Sequence, residues 1–393
     1  MGLRVTKVRT AAERDRLFEF RYRIYVEEVR IPTSQADHAR RRLKDPLDEC
    51  STSYVMLDEE QVAGELRVTW LADVADSTEI IENFAMQPAI EAFGPEVICK
   101  TSRFILDPKW RQGTAIYLLM ETVYEEGWAQ GGRLNYGDCS PHLLPFYEQL
   151  GFRRYTGAFE DPDYGFKFPI LMIADLEYFR RAHSPLARVA KRLGEDRAAC
   201  EWFAQTYPDR LVPPTATFLP EGEFFDLLRA RLGTDPTRHI RLLRGLERRE
   251  FENLFSKATL VNAKSGCRIV RRGDPSDALF LLLSGLAETT CDDISGAPVR
   301  RFRPGDFVGG TAFFSGDERR FTDVLVREPC EAVVLPSDSL RRFIANEPAA
   351  AAKVLANARA IDCLPGDLST NRDDPEWRLE PHFRFEMPQS DRA

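Results

Sequence analysis

The sequence has no long hydrophobic run and no cysteines at metal-binding spacing. No run of about 18 apolar residues occurs, so we predict no transmembrane segment, and the N-terminus lacks the apolar core of a signal peptide. None of the eight cysteines belongs to a CxxC pair, which argues against a zinc site and against a disulfide framework. We therefore expect a cytoplasmic protein with reduced thiols and no bound metal.

The chain also lacks an excess of basic residues. Its formal net charge of −8 is unlike that of proteins that coat nucleic acids, so we expect no nucleic-acid partner. Apolar residues make up 43% of the sequence and charged residues 30%, which is typical of a globular protein. A length of 393 residues exceeds one ordinary domain and predicts two.

The pattern of apolar and turn residues changes along the chain. Short strands and helices alternate at first, a helical stretch broken by Pro-containing pairs follows, and short apolar runs separated by Gly, Asp and Pro turns come next. We predict an α/β domain over 1–180, a helical connector over 181–245, an all-β domain with a C-terminal helix over 246–362, and a polar tail over 363–393.

The segment from Thr101 to Phe152 carries the strongest local pattern. A strand over Thr101–Leu106 is followed by a turn, by a helix with apolar residues at helical spacing, and by a second strand over Leu134–Cys139. The turn leads into a helix N-terminus, whose unpaired N–H groups and positive dipole end suit a pyrophosphate or a phosphopantetheine.

This order resembles the acyl-CoA-binding core of the GNAT N-acyltransferase superfamily. The resemblance implies that Tyr147, within Phe-Tyr-x-x-Leu-Gly-Phe, protonates the leaving thiolate, and that the strand around Ser102 stabilises the oxyanion through its backbone. It also implies a donor, acyl-CoA or the acyl-phosphopantetheine of an acyl carrier protein, held by residues of the strand and the turn: Ser102, Phe104, Arg111, Gln112, Gly113, Thr114 and Ala115. The turn departs from the usual motif, because Trp110 takes its first position and Arg111 comes one residue late.

Three further motifs precede this core: Phe20-Arg-Tyr-Arg-Ile-Tyr-Val26, Asp45-Pro-Leu-Asp48, and Gly64-Glu-Leu-Arg67 paired with Ser102-Arg103. Together they resemble the long-chain N-acyl amino acid synthases and the acyl-homoserine-lactone synthases over about the first 155 residues.

The resemblance implies substrate-binding roles for four residues: Arg21, Tyr25, Asp45 and Arg67. Arginines can clamp a carboxylate or a carrier phosphate, and Asp45 with Asp48 could hold the amine. The alternative is that these charged pairs only tie the first helix to the sheet.

The general base is left open by the sequence. Related enzymes often place Glu before the Ser-Arg pair, whereas this chain has Lys100. Amine attack still requires a group that accepts a proton, and Asp48, Glu65 and Asp138 are the candidates. We take Tyr147, Asp48 and Arg103 as the candidate catalytic residues.

Motifs in the last third resemble the cyclic nucleotide-binding domain, an eight-stranded jelly roll; they include Arg272-Gly-Asp274 and the Gly-rich turn before Arg319-Arg320. The implied pocket consists of Gly309, Gly310, Thr311, Arg319 and Arg320. Arg320 or Arg319 would contact the cyclic phosphate, but Gly310 stands where the family has a Glu for the ribose hydroxyl. We therefore expect weak or no cyclic nucleotide binding; the alternative is a structural or dimerising module.

These observations predict an N-acyltransferase that moves an acyl group to a primary amine, most simply that of an amino acid, with a regulatory-type C-terminal domain. The absence of the Trp that lactone synthases carry after the first helix, replaced here near Ile31, favours amino-acid acylation. The alternatives are a protein-lysine acetyltransferase under cyclic nucleotide control and a non-catalytic ligand sensor. The candidate partners are an acyl carrier protein, a small amine acceptor and a second copy of the chain.

Overall fold

The computed structural model describes residues 2–31, 33–111, 113–211, 215–290, 300–310, 314 and 319–362. The chain forms two compact units, Met1–Pro213 and Pro214–Ala393. The stretch predicted as a connector is divided between them, so its helices contribute to both units. The predicted polar tail lies outside the described residues. None of the described helices is long and apolar enough to cross a membrane.

A mixed β-sheet forms the centre of the first unit. The strands of this unit are β1 (Arg4–Lys7), β2 (Ala36–Asp37), β3 (Arg42–Leu43), β4 (Ser51–Asp58), β5 (Gln61–Trp70), β6 (Ile98–Leu106), β7 (Leu134–Cys139), β8 (Phe152–Arg154), β9 (Phe159–Asp161) and β10 (Gly165–Met172). The sheet order is β1-β4-β5-β6-β7-β10-β8, with β9 paired to β10, while β2 and β3 pair with each other. β6 and β7 run parallel.

Helices flank this sheet. They are α1 (Ala11–Arg21), which continues as a π-helix (Tyr22–Glu28), α2 (Thr78–Asn83), α3 (Gln87–Phe93), α4 (Ala115–Ala129), α5 (Leu144–Leu150), α6 (Leu176–Arg181), α7 (Ala187–Leu193) and α8 (Arg197–Thr206). A capping box between Thr10 and Glu13 fixes the start of α1. Its buried Leu17 and Phe18 pack with Val55 of β4, which places α1 against one face of the sheet.

The second unit is all-β at its centre. Its strands are β11 (Thr259–Ala263), β12 (Arg268–Val270), β13 (Ala278–Leu282), β14 (Leu286–Thr290), β15 (Arg301–Phe302), β16 (Phe307–Val308), β17 (Asp323–Glu328) and β18 (Cys330–Pro336). They form two four-stranded sheets, β11-β18-β13-β16 and β12-β17-β14-β15. The described helices of this unit are α9 (Glu223–Leu232), α10 (Pro236–His239), α11 (Arg248–Phe255), α12 (Ser337–Asn346) and α13 (Pro348–Asp362). An α/β unit with a mixed sheet followed by a β-sandwich confirms the predicted fold class.

Candidate functional site

A β-bulge interrupts β6 where the sequence predicts the oxyanion-binding strand. Arg67 of β5 faces Ser102, whereas Glu65 faces Ile105, so β6 contains one extra residue between these pairs. Arg103 lies in the bulge with a φ of 55°, in the left-handed region that few non-glycine residues adopt. Bulges of this kind redirect side chains and interrupt strand pairing.

The bulge follows the last residue of β6 that pairs with β7. These parallel strands pair only from Ile98 with Leu134 to Lys100 with Tyr136 in the described register. The backbone after Lys100 is therefore not paired with β7, and N–H groups on that side can donate to a ligand oxygen. This arrangement is compatible with oxyanion stabilisation by the backbone at residues 102–104.

The predicted donor turn lies at the N-terminus of α4. Thr114 occupies the N-cap position but its side chain makes no capping hydrogen bond, so it does not block the N–H groups of the first turn. Gly113 has a φ of 128°, and a Cβ added there would meet nothing within 4 Å. Arg111 donates to the Leu106 carbonyl at 3.0 Å and pairs with Glu28. Gln112 lies outside the described residues.

Six ionised side chains form a buried ion network between α1, the segment after β3, and strands β5 and β6. Its members are Arg21, Asp45, Asp48, Glu65, Arg67 and Arg103. Arg21 donates to both oxygens of Glu65 at 2.8 and 2.6 Å and to both oxygens of Asp48 at 2.7 and 2.8 Å. Its side chain is 0% exposed. Arg21 is therefore fully engaged with protein carboxylates.

The other half of the buried ion network is centred on Asp45. Its Oδ1 accepts from Arg67 at 2.6 Å and its Oδ2 from Arg103 at 2.5 Å. Burial alone would raise the pKa of Asp45, but the two guanidiniums lower it below the ordinary value. The pKa of Asp48 is lowered in the same way. Burial opposes its ionised form, but Arg21 favours that form more strongly. Both carboxylates stay anionic and paired, which makes Asp48 a weak acceptor for the proton of an attacking amine.

Two tyrosines border the Arg103 guanidinium. It lies 5.1 Å from the ring centroid of Tyr25 and 5.5 Å from that of Tyr164, and it donates to the Tyr164 hydroxyl. The motif analysis identified Tyr25 but missed Tyr164. Tyr164 belongs to an Asp-Pro-Asp-Tyr-Gly turn ahead of β10, where no periodic pattern marks it as a site residue.

Tyr147 of α5 is placed beside the bulge. Its ring lies 6.3 Å from that of Phe104 and 5.5 Å from that of Phe152. Burial raises the pKa of Tyr147 well above its usual value, and the nearby Cys139 and Asp138 add to the increase. The phenol therefore keeps its proton at neutral pH, which is the state that a proton donor requires.

The remaining base candidates are also paired. Both oxygens of Glu65 accept from Arg21, and one accepts from Ser53 at 3.1 Å as well. Asp138 lies 3.2 Å from the Lys100 ammonium. Burial would raise the pKa of Asp138, but Lys100 and Lys167 lower it. Lys167 was not singled out by the sequence motifs, because a lone Lys within a strand carries no pattern.

The predicted nucleotide pocket centres on Arg320. This side chain donates to the carbonyl oxygens of Gly309, at 2.8 Å, and of Ala278. It is 6% exposed, and burial lowers its pKa to about 10. Within the described part of the second unit, no carboxylate lies within 4.0 Å of it.

Two glycines next to Arg320 differ in what they permit. A Cβ added at Gly309 would lie 2.3 Å from the Arg320 guanidinium, and its φ is 85°, whereas one added at Gly310 would meet only Phe314 at 3.9 Å. Arg319 donates to the Gly273 carbonyl at 2.9 Å. Thr311 lies outside the described residues.

Comparison with protein families finds one match in each unit. Residues 16–174 match the family model described as N-acyl amino acid synthase FeeM, and residues 260–347 match the cyclic nucleotide-binding domain. The first part of the chain is thus similar to N-acyl amino acid synthases, and the later part is similar to cyclic nucleotide-binding domains. The resemblance to both families that the motifs predict is confirmed.

Curated relatives match over short segments. Glutaminase 1 of Bradyrhizobium diazoefficiens is 31% identical over 116 residues, which cover 30% of this chain and 18% of that protein. The cAMP-dependent protein kinase regulatory subunit of Aspergillus fumigatus is 31% identical over 103 residues, covering 26% of this chain and 24% of that protein. The chain therefore spans less than a quarter of the length of these two relatives.

Two solved structures are similar to parts of the chain. A CoA-dependent acyl-homoserine lactone synthase, BjaI, is 18% identical with a TM-score of 0.39, and the match covers 50% of this chain and 92% of that chain. A cAMP-binding acyltransferase from Mycobacterium smegmatis is 23% identical with a TM-score of 0.26, and the match covers 34% of this chain and 41% of that chain.

Proposed function

We propose that the first unit is a GNAT-type enzyme that transfers an acyl group from a phosphopantetheine thioester to the amine of an amino acid. The observation that carries this proposal is the bulge in β6 just after its pairing with β7 ends, with the phenol of Tyr147 beside Phe104 of the same strand. The match to N-acyl amino acid synthases over residues 16–174 supports an amino acid as acceptor. A cytoplasmic location and a homodimer stay predictions.

The proposed reaction needs three groups. The neutral amine attacks the thioester carbon, so a C–N bond forms while the C–S bond breaks. Backbone N–H groups of residues 102–104 stabilise the oxyanion, and the leaving thiolate takes the proton of Tyr147. The amine proton passes to water, because Asp138 is paired with Lys100 and its pKa is lowered, and the phenolate is then reprotonated from solvent. Arg21, Asp48 and Glu65 hold α1 against the sheet and do not touch the reacting atoms in this proposal.

The donor is acyl-CoA or an acylated acyl carrier protein. Its phosphate would bind the N–H groups at the start of α4, where Gly113 leaves space and the Thr114 side chain does not cap the helix. Because both donors share phosphopantetheine, the same site serves either one.

For the second unit we propose weak binding of a cyclic nucleotide. Arg320 is a buried cation that donates to two carbonyl oxygens, and Asp277 and Asp274 lie close enough to favour its charged form. An anion such as the cyclic phosphate would stabilise this charge further. Gly310 supplies no carboxylate for the ribose hydroxyl, so one charge-assisted hydrogen bond is missing.

The test is thiol release. The full chain is mixed with acyl-CoA or acyl carrier protein thioesters of several chain lengths and with free amino acids, and the products are identified by mass spectrometry. We expect acceptor-dependent thiol release and an N-acyl amino acid. Acylation of protein lysines without any N-acyl amino acid would favour the lysine acetyltransferase alternative, and binding without thiol release would favour a sensor.

A further inference from the structure

Lys167 of β10 is a half-buried cation in the first unit. Its Nζ donates to the Ser140 hydroxyl at 3.0 Å and lies 5.5 Å from the ring centroid of Tyr164. Among the described residues, no carboxylate lies within 4.0 Å of it. A hydroxyl and a ring face compensate a desolvated ammonium only in part, so this position favours an anionic ligand.

Lys100 and Asp138 lie on the same side of the sheet as Lys167. Lys100 and Tyr136 are strand partners, and Tyr136 lies two residues before Asp138. Phe168 and Cys139 are also partners, and Lys167 and Asp138 are the residues directly before them. Alternate residues of a strand share a face. The Lys100 ammonium lies 3.2 Å from Asp138, and their side chains are 13% and 24% exposed. We call Lys100, Asp138 and Lys167 the lysine–aspartate cluster.

The charge balance identifies where an anion would bind. The buried ion network holds three arginines and three carboxylates, so its formal charges cancel. The lysine–aspartate cluster holds two ammonium groups and one carboxylate, which leaves one surplus positive charge. An acceptor with both an amine and a carboxylate complements this cluster, because Asp138 attracts the amine and the lysines attract the carboxylate.

The cluster also borders the proposed reaction centre. Asp138 is close enough to raise the pKa of Tyr147. Tyr164 contacts both Lys167 and Arg103, the bulge residue of β6. A small molecule held by the cluster would therefore lie near the point where the pairing of β6 with β7 ends.

We propose that Lys167, together with Lys100, binds the carboxylate of the acceptor amino acid and so makes the enzyme select carboxylate-bearing amines over neutral ones. This assignment rests on the proposed function and deepens it. Lys167 is the cleaner residue to test, because its loss removes one hydrogen bond to Ser140 and one contact with the Tyr164 ring, whereas loss of Lys100 would remove the ion pair of Asp138.

The experiment compares two acceptor pools at a fixed acyl thioester concentration: free amino acids and their primary amides. Thiol release is measured for the wild-type chain, for Lys167→Met and for Lys167→Arg. Lys191→Met is the control, because Lys191 is an exposed lysine on α7 of the same unit. The amide amines are less basic than those of the acids, so the informative quantity is the change in the acid-to-amide rate ratio between variants.

We expect Lys167→Met to reduce this ratio roughly tenfold to a hundredfold, through a higher KM for the acids, since one charge-assisted contact is lost. Rates with the amides should decrease much less than rates with the acids, and Lys167→Arg and the control should keep the wild-type ratio. An unchanged ratio in an active Lys167→Met variant overturns the assignment, and so does an equal loss with both pools. If the wild type releases no thiol with either pool, the proposed function itself is wrong and the assignment falls with it.

Discussion

Replacement of Arg21 by Met tests whether the buried ion network is structural. The Arg21 side chain has no exposed surface and makes four hydrogen bonds to two carboxylates. In Arg21→Met, Glu65 would keep only Ser53 as a hydrogen-bond partner among the described residues, while Asp48 would keep Arg67. The substitution therefore leaves one buried carboxylate without a cation.

The expected loss follows from this unpaired charge. Removal of one partner from a buried ion pair costs about 3–5 kcal/mol, which is a large share of the roughly 5–15 kcal/mol that stabilises a typical domain. Arg21→Met should therefore lower the free energy of unfolding of the first unit by about 3–5 kcal/mol. The double variant Arg21→Met with Glu65→Gln removes the unpaired charge and should recover much of the loss.

Tryptophan fluorescence during urea unfolding measures this change in one unit. Four of the five tryptophans precede residue 214, and the fifth is Trp377, so a Trp377→Phe background reports on the first unit. A decrease below about 1 kcal/mol would refute the structural role of the network. A variant with full stability but no turnover would instead support the substrate-binding role that the motifs predict for Arg21.

Three other predictions concern single groups. Tyr147→Phe should reduce the rate of thiolate release and leave donor affinity, measured by calorimetry, unchanged; normal turnover would exclude Tyr147 as the proton donor. Gly310→Glu should strengthen cyclic AMP binding roughly tenfold to a hundredfold by restoring one charge-assisted hydrogen bond; micromolar binding by the wild type would contradict the incomplete pocket. Because the pKa values of Asp45 and Asp48 are lowered in the folded protein, both carboxylates stabilise the fold fully above their unfolded pKa of about 4. This stabilisation is lost as the pH falls through their folded pKa values. The urea midpoint of the first unit should therefore decrease below about pH 4, and Asp45→Asn should reduce this dependence.

The secondary structure of the first unit could largely be predicted from the sequence. The strand predicted over Thr101–Leu106 lies within β6 and the one predicted over Leu134–Cys139 coincides with β7, because apolar runs bounded by turn residues determine strands locally. The bulge at Arg103 was not predictable, since it depends on the register between β5 and β6. Tyr164 could not be predicted as a site residue for a similar reason, because its contact with Arg103 joins residues 61 positions apart.

The pairing of the charged residues could not be predicted from the sequence. Motifs identify which ionised groups occur, but not which of them neutralise one another. The motifs predicted Arg21, Arg67 and Asp48 as substrate ligands, whereas in the structure both arginines pair with Asp48. Lys100 is the opposite case. It was interpreted as the loss of a base, whereas its ammonium pairs with Asp138 and leaves Lys167 as the surplus cation. The acid-to-amide ratio of Lys167→Met tests whether this surplus charge binds the carboxylate of the acceptor.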